Sequence, residues 1–78
     1  MNKSRRKEIQ EVIDALTELQ EQITVIQEAE LESYNNLPEG IQNSERGEAM
    51  NENADDLETA ASDIDDIIST LQDVIDNG

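Results

Sequence analysis

Residues 50–75 read MNENADDLETAASDIDDIISTLQDVI, and this stretch decides the fold. Met50, Ala54, Leu57, Ala61, Ile64, Ile68, Leu71 and Ile75 recur at alternating steps of four and three. A strand would alternate with period two, whereas a mean spacing of 3.5 marks the seam of one helix packed on another. Upstream, Ile9, Val12, Leu16, Leu19, Ile23 and Ile26 repeat the pattern. Between the two stretches lies Asn35-Asn36-Leu37-Pro38-Glu39-Gly40, with Gly47 soon after. Proline bars its predecessor from helix and glycine weakens one, so the break falls here.

The expected organisation is a single all-α domain spanning 1–78, with a helix over 4–35, a loop over 36–43 and a helix over 44–76. Each helix is about 48 Å long at ~1.5 Å per residue. Ser4 and Ser44 suit N-caps, and Asn77-Gly78 suits a helix end. A short connection between long helices favours an antiparallel, coiled-coil-like two-helix hairpin. Charge favours the same direction. Arg5, Arg6 and Lys7 oppose the dipole at one helix start, as Asp73 and Asp76 do at the other helix end. An antiparallel fold brings these misfits together as a match. The alternative is a frayed, solvated N-terminal tail.

Ile13, Ile67 and Val74 widen the apolar stripes beyond a strict seam, and wider stripes suit more than two helices. A homodimer forming a four-helix bundle is therefore expected, although the two sets of flanking residues fall on opposite sides of the assigned seams. Glu30 interrupts the seam near the loop, where Tyr34, Leu37 and Ile41 can close the end as a small cluster.

Composition excludes much. With 78 residues and no cysteine, the chain has neither disulfides nor thiolate zinc sites to support a small core. It lacks histidine and tryptophan and holds one aromatic residue, Tyr34. That argues against histidine acid–base catalysis and against stacking platforms for single strands. The basic start Met1–Lys7 resembles a signal n-region, but Glu8, Gln10, Glu11 and Asp14 leave no apolar segment behind it. A cytoplasmic protein is therefore expected, and its net charge of −15 disfavours direct binding to nucleic acid or to an anionic membrane surface.

Carboxylates raise the question of metals. Asn51, Asn53, Asp55 and Asp56 resemble the start of a calcium loop, but Asp56 stands where glycine is needed and Ser62 where the closing glutamate is needed. Di-iron bundles require Glu-x-x-His pairs, and a narrow bundle offers no cleft for a carboxylate hydrolase. No catalytic, cofactor or metal residue is assigned.

The acids themselves remain. All twenty lie after Lys7, against one later base, Arg46. On the first helix Glu11, Asp14, Glu18, Glu21, Glu28 and Glu32 draw an outer stripe. Like charges four apart, such as Asp14 with Glu18, each cost about 0.2–0.5 kcal/mol, and lysine at that spacing would relieve them. Duplex DNA carries one charge per ~1.7 Å, while twenty acids over about 48 Å give one per ~2.4 Å, and side-by-side dimerisation would exceed DNA. The density is adequate for mimicry. It is also compatible with acids that only secure solubility or suit high salt.

The segment from Tyr34 to Met50, YNNLPEGIQNSERGEAM, with Leu57-Glu-Thr-Ala-Ala61 and Ile64-Asp-Asp-Ile-Ile68, carries a resemblance. It resembles small acidic helical proteins of phages and prophages of Gram-positive bacteria, in which a Tyr…(Met/Leu)-Pro-Glu…Ser-Glu-Arg turn joins two helices. The resemblance covers most of the chain. It implies a short accessory phage product, a class rich in inhibitors of host defence enzymes, and supplies no functional residue.

The expected function is non-enzymatic inhibition of a basic nucleic-acid-handling host protein, such as a CRISPR effector or restriction enzyme, by blocking its DNA or RNA channel. Glu11, Asp14, Glu18, Glu21, Asp55, Asp56, Asp63, Asp65 and Asp66 are the candidate phosphate surrogates. One alternative is a structural or assembly module that recruits a partner helix through its apolar stripe. Another is an oligomer that scavenges a small signalling ligand.

Overall fold

The computed structural model describes all residues, Met1–Gly78, and is all-α. Helix α1 spans Lys3–Asn35, α2 is a single turn over Glu39–Gln42, and α3 spans Glu45–Asn77. The molecule is a rod with extents of 59 × 15 × 12 Å. At one end the Met1 amine donates to the Gly78 carbonyl oxygen at 2.6 Å. Part-way along, the Gln20 side-chain amide donates to the Ala61 carbonyl at 2.9 Å and to the Asp65 carboxylate at 2.6 Å.

Helix α1 starts earlier than expected because Asn2, not Ser4, caps it: the Asn2 side chain accepts from the Arg5 amide at 2.8 Å. Asparagine caps as well as serine, and capping there adds residues to the helix. Ser44 caps α3 as its type predicts, accepting from Gly47 N, and Glu45 and Glu48 complement the dipole of that first turn. The connection is not a plain loop. Pro38 enters α2 at its N-cap, and its carbonyl accepts from Ile41 and Gln42 at 2.8 and 3.0 Å. The Gln42 side chain then donates to Tyr34 O and Asn35 O at 3.1 and 3.4 Å, occupying carbonyls that the end of α1 leaves without intrahelical donors.

Gly47 is buried in the first turn of α3, and a Cβ there would collide with the Gln42 backbone carbonyl. Backbone cannot swing aside as a side chain can. Gly47→Ala is therefore expected to cost about 1–3 kcal/mol, the usual range for overpacking, despite the better helix propensity of alanine. Urea unfolding followed by circular dichroism measures this, and an unchanged midpoint would show that the turn is freely displaced.

The α3 seam follows the sequence pattern. Met50, Leu57, Ala61, Ile64, Ile68, Leu71 and Ile75 are half-buried, and Ala54 is 1% exposed. The α1 seam does not. Its buried and half-buried positions are Ile9, Ile13, Leu16, Gln20, Ile23, Thr24, Gln27, Glu30 and Tyr34. Ile13, read as a flanking residue, is 6% exposed, whereas Val12, Leu19 and Ile26, read as seam residues, are 49%, 50% and 56% exposed. The helix is rotated by about 50°, a seventh of a turn, from the purely apolar solution. One physical reason is visible on α3, where Gly47, Ala54 and Ala61 recur every seven residues. Small residues bare the backbone, and the long amide of Gln20 uses that space to reach Ala61 O.

The expected ion pairs between the N-terminal bases and Asp73 or Asp76 are not formed. Asp76 instead accepts from Gln72 on its own helix at 3.2 Å. Both partners are exposed groups at a helix end, where fixing the long Arg and Lys side chains costs side-chain entropy for little gain.

Candidate acidic binding surface

The nine candidate carboxylates are all exposed on α1 and α3. The corrected seam fixes where each points. On α1, Glu11, Asp14, Glu18 and Glu21 lie away from Ile13, Leu16, Gln20 and Ile23, so the acidic stripe faces outward. On α3, Asp66 points directly away from the seam formed by Ile64 and Ile68, with Asp55 to one side and Asp56 and Asp63 to the other. Asp65 flanks the seam itself and is tied across to α1 through Gln20.

The structure thus divides the set. On α1, Glu11 and Glu18 point directly away from the seam, and Asp14 and Glu21 lie to one side of it. On α3, Asp66 points away from the seam, and Asp65 and Glu58 lie to the same side as Asp55. Asp56 and Asp63 turn toward the opposite flank. Nowhere do three acids converge to hold a metal ion. Two shallow depressions lie open on single helices, one lined by Glu18, Glu21, Gln22, Val25 and Ile26, the other by Asp66, Ile67, Thr70 and Leu71.

Hydrogen bonds to the candidate acids come from neutral amides. Asp14 accepts from Gln10 at 3.0 Å and Asp65 from Gln20. These bonds orient the carboxylates without neutralising them. Twenty acids over a 59 Å rod give about one per 3 Å, sparser than the sequence expectation because the rod is longer. A side-by-side pair would bring that to about one per 1.5 Å, comparable with the ~1.7 Å of duplex DNA.

Uncompensated repulsion has a measurable consequence. Raising NaCl from about 10 mM to 0.5 M shortens the Debye length from ~30 Å to about 4–5 Å, which screens the carboxylates from one another. The thermal midpoint is expected to rise by several degrees over that range. A midpoint that falls would mean that attractive pairs dominate the surface.

Sequence reading missed the exposed apolar set of Val12, Leu19 and Ile26, which it had placed in the core, whereas Ile67 and Val74, read as flanking the seam, are exposed. The signal was present: Ile9, Ile13, Leu16, Gln20, Ile23 and Gln27 also step by four and three, but the two glutamines hid the alternative seam. No protein-family model, curated protein or solved structure matches the chain. No helix is long and apolar enough to cross a membrane.

Proposed function

We propose that the chain is an antiparallel two-helix hairpin, paired as a homodimer, that inhibits a basic nucleic-acid-handling protein without catalysis. In this reading it is a phage-encoded product in the host cytoplasm, and its carboxylates occupy the Lys/Arg-lined channel that DNA or RNA would enter. The meeting of Met1 with Gly78 and of Gln20 with Ala61 supports the hairpin. The observation that carries the function is the uncompensated surface: nine candidate acids are exposed, and Arg46 is the one base beyond Lys7. Short aspartates dominate α3 although glutamate is the better helix former, so charge is held close to a rigid backbone at some cost to helix stability. Such a surface is pre-organised for arginine and lysine, and it steers a basic partner from a distance.

A second reading has its own support. Half-exposed Val12, Leu19 and Ile26 offer an apolar stripe for a partner helix, with the acids only keeping the rod soluble. The two readings differ in salt response. Immobilised protein is challenged with bacterial host lysate, with and without nuclease treatment, and eluted in rising NaCl. Channel occupation requires capture of a nucleic-acid-binding protein that is released by salt and by added duplex DNA or RNA. Capture that resists salt, or a captured protein that keeps its nucleic acid, overturns channel occupation and favours the apolar stripe.

A further inference from the structure

Two apolar stripes lie outside the seam, exposed Val12, Leu19 and Ile26 on α1 and half-buried Ala60 with exposed Ile67 and Val74 on α3. Within each helix the members are seven residues apart, so each makes one line along the axis. Each line also sits one residue before a seam position: Val12 before Ile13, Leu19 before Gln20, Ala60 before Ala61, and Ile67 before Ile68. Both lines therefore lie to the same hand of their own seam. In helices running in opposite directions, the same hand is the same side. On the hairpin reading of the preceding subsection, the two stripes are one flank.

We infer that a second copy of this chain docks on this flank, each α1 lying over the other copy's α3 to complete a four-helix bundle. Charge selects both the occupant and its orientation. The heptad line through Val12 is Arg5, Val12, Leu19, Ile26 and Ser33; that through Ile67 is Arg46, Asn53, Ala60, Ile67 and Val74. None of the twenty acids falls on either line, so here alone two molecules of charge −15 can approach closely. The rims agree. Beside the flank α3 carries Ala49, Asp56, Asp63 and Thr70, while α1 carries Glu8 at the level of Thr70 and then Ala15, Gln22 and Ala29. Laying α1 over the partner's α3 sets acids against neutral residues, whereas laying α3 over α3 would set Asp56 and Asp63 against their own copies. Arg5 then meets the acidic end of the partner's α3, and Arg46 the acidic end of its α1.

Size is consistent with a pair. From the level of Val74 to that of Ile26 the flank is about 30 Å long at ~1.5 Å per residue, and the rod is 15 Å wide. That is roughly 450 Å² per copy and on the order of 1,000 Å² per pair, the lower bound of a specific interface. Need is consistent too: within one chain Ile13 and Ala54 are the only buried hydrophobic residues. Level matching follows from Met1 meeting Gly78 and Gln20 meeting Ala61, which puts Val12 beside Ile67 and Leu19 beside Ala60 to within a turn.

Sedimentation equilibrium of the intact chain at micromolar concentration tests this. The expected mass is twice 8.7 kDa. Leu19→Glu with Ile67→Glu should raise the dissociation constant by more than ~100-fold, because two carboxylates per copy would be buried unpaired. Val25→Glu with Leu31→Glu, exposed apolar positions off the flank, should leave the dimer intact. Because the flank variant could unfold instead, a second measurement uses the absence of native cysteine. A Val12→Cys chain mixed with an Ile67→Cys chain should give an interchain disulfide that neither gives alone. A helical wild-type monomer, dissociation by the Val25 and Leu31 changes alone, or no mixed disulfide overturns the docking and leaves the hairpin standing. Failure of the hairpin reads differently: Ile9→Cys with Leu71→Cys in one chain would form no intrachain disulfide, and the docking would fall with it.

Discussion

Ile13→Asp is expected to abolish cooperative folding at 25 °C. Ile13 is 6% exposed, and Ala54 is its only hydrophobic peer in burial. Losing a buried isoleucine costs about 2–5 kcal/mol in transfer and cavity terms, and an uncompensated buried charge adds about 3–5 kcal/mol. Against roughly 4–12 kcal/mol for a domain of this length, the change consumes most of the stability. The total charge aggravates it, since another carboxylate joins a chain already at −15. Far-UV circular dichroism should show a large loss of helix, with no cooperative urea transition. Val25→Asp is the matched control: it adds the same charge to the same helix at a residue 64% exposed, and should move stability by less than about 1 kcal/mol. If both variants keep native helicity and equal midpoints, Ile13 is not in a core. If Val25→Asp is the damaging change, helix α1 packs on another face.

The same residue shows what the sequence disclosed and what it withheld. The helical class and the break at Pro38 follow from local rules that act within a few residues: period, proline geometry and capping. The α3 seam was legible because the line through Ala54, Ala61, Ile68 and Ile75 is apolar throughout, whereas the competing line through Ala60, Ile67 and Val74 meets Asn53. On helix α1 the polar residues fall on the line that is used. Counting apolar residues favours Val12, Leu19 and Ile26, whereas the folded arrangement buries Ile13 and half-buries Gln20, Gln27 and Tyr34. Choosing between them requires knowing that α3 presents Gly47, Ala54 and Ala61 at regular spacing and that Gln20 can bond to Ala61 O. That information is tertiary. The earlier puzzle, flanking residues on opposite sides of the two seams, disappears once α1 is rotated. The acids were legible as exposed groups, since short carboxylates are seldom buried unpaired. Their division between flanks was not, because it depends on the same rotation.

Neutralising Asp55, Asp56, Asp63, Asp65 and Asp66 together as asparagines is expected to weaken binding to a basic, nucleic-acid-handling partner far more than it changes the fold. Each exposed charge pair contributes about 0.2–1 kcal/mol, and more once desolvated in a channel, so five together amount to roughly 1–5 kcal/mol. At ~1.4 kcal/mol per decade that is about fivefold to several-thousand-fold in affinity. Stability should hold or rise, because removing like charges on one helix relieves repulsion, and asparagine at position 65 still offers an oxygen to Gln20. Titration calorimetry in a series of NaCl concentrations separates the contributions. The unsubstituted chain should show a steep loss of affinity with salt, the variant a shallow one, and prior loading of the target with its DNA or RNA should exclude both. The five positions also sort by location. If the flank of Asp56 and Asp63 is the rim of a dimer, Asp55, Asp65 and Asp66 should carry most of the effect. Asp14→Asn with Glu21→Gln, on the flank that the proposed hairpin shares with Asp55 and Asp65, should reproduce part of it from the other helix. A target that binds the neutralised variant as tightly as the original, in high salt and with nucleic acid still in place, would leave the carboxylates a role in solubility alone.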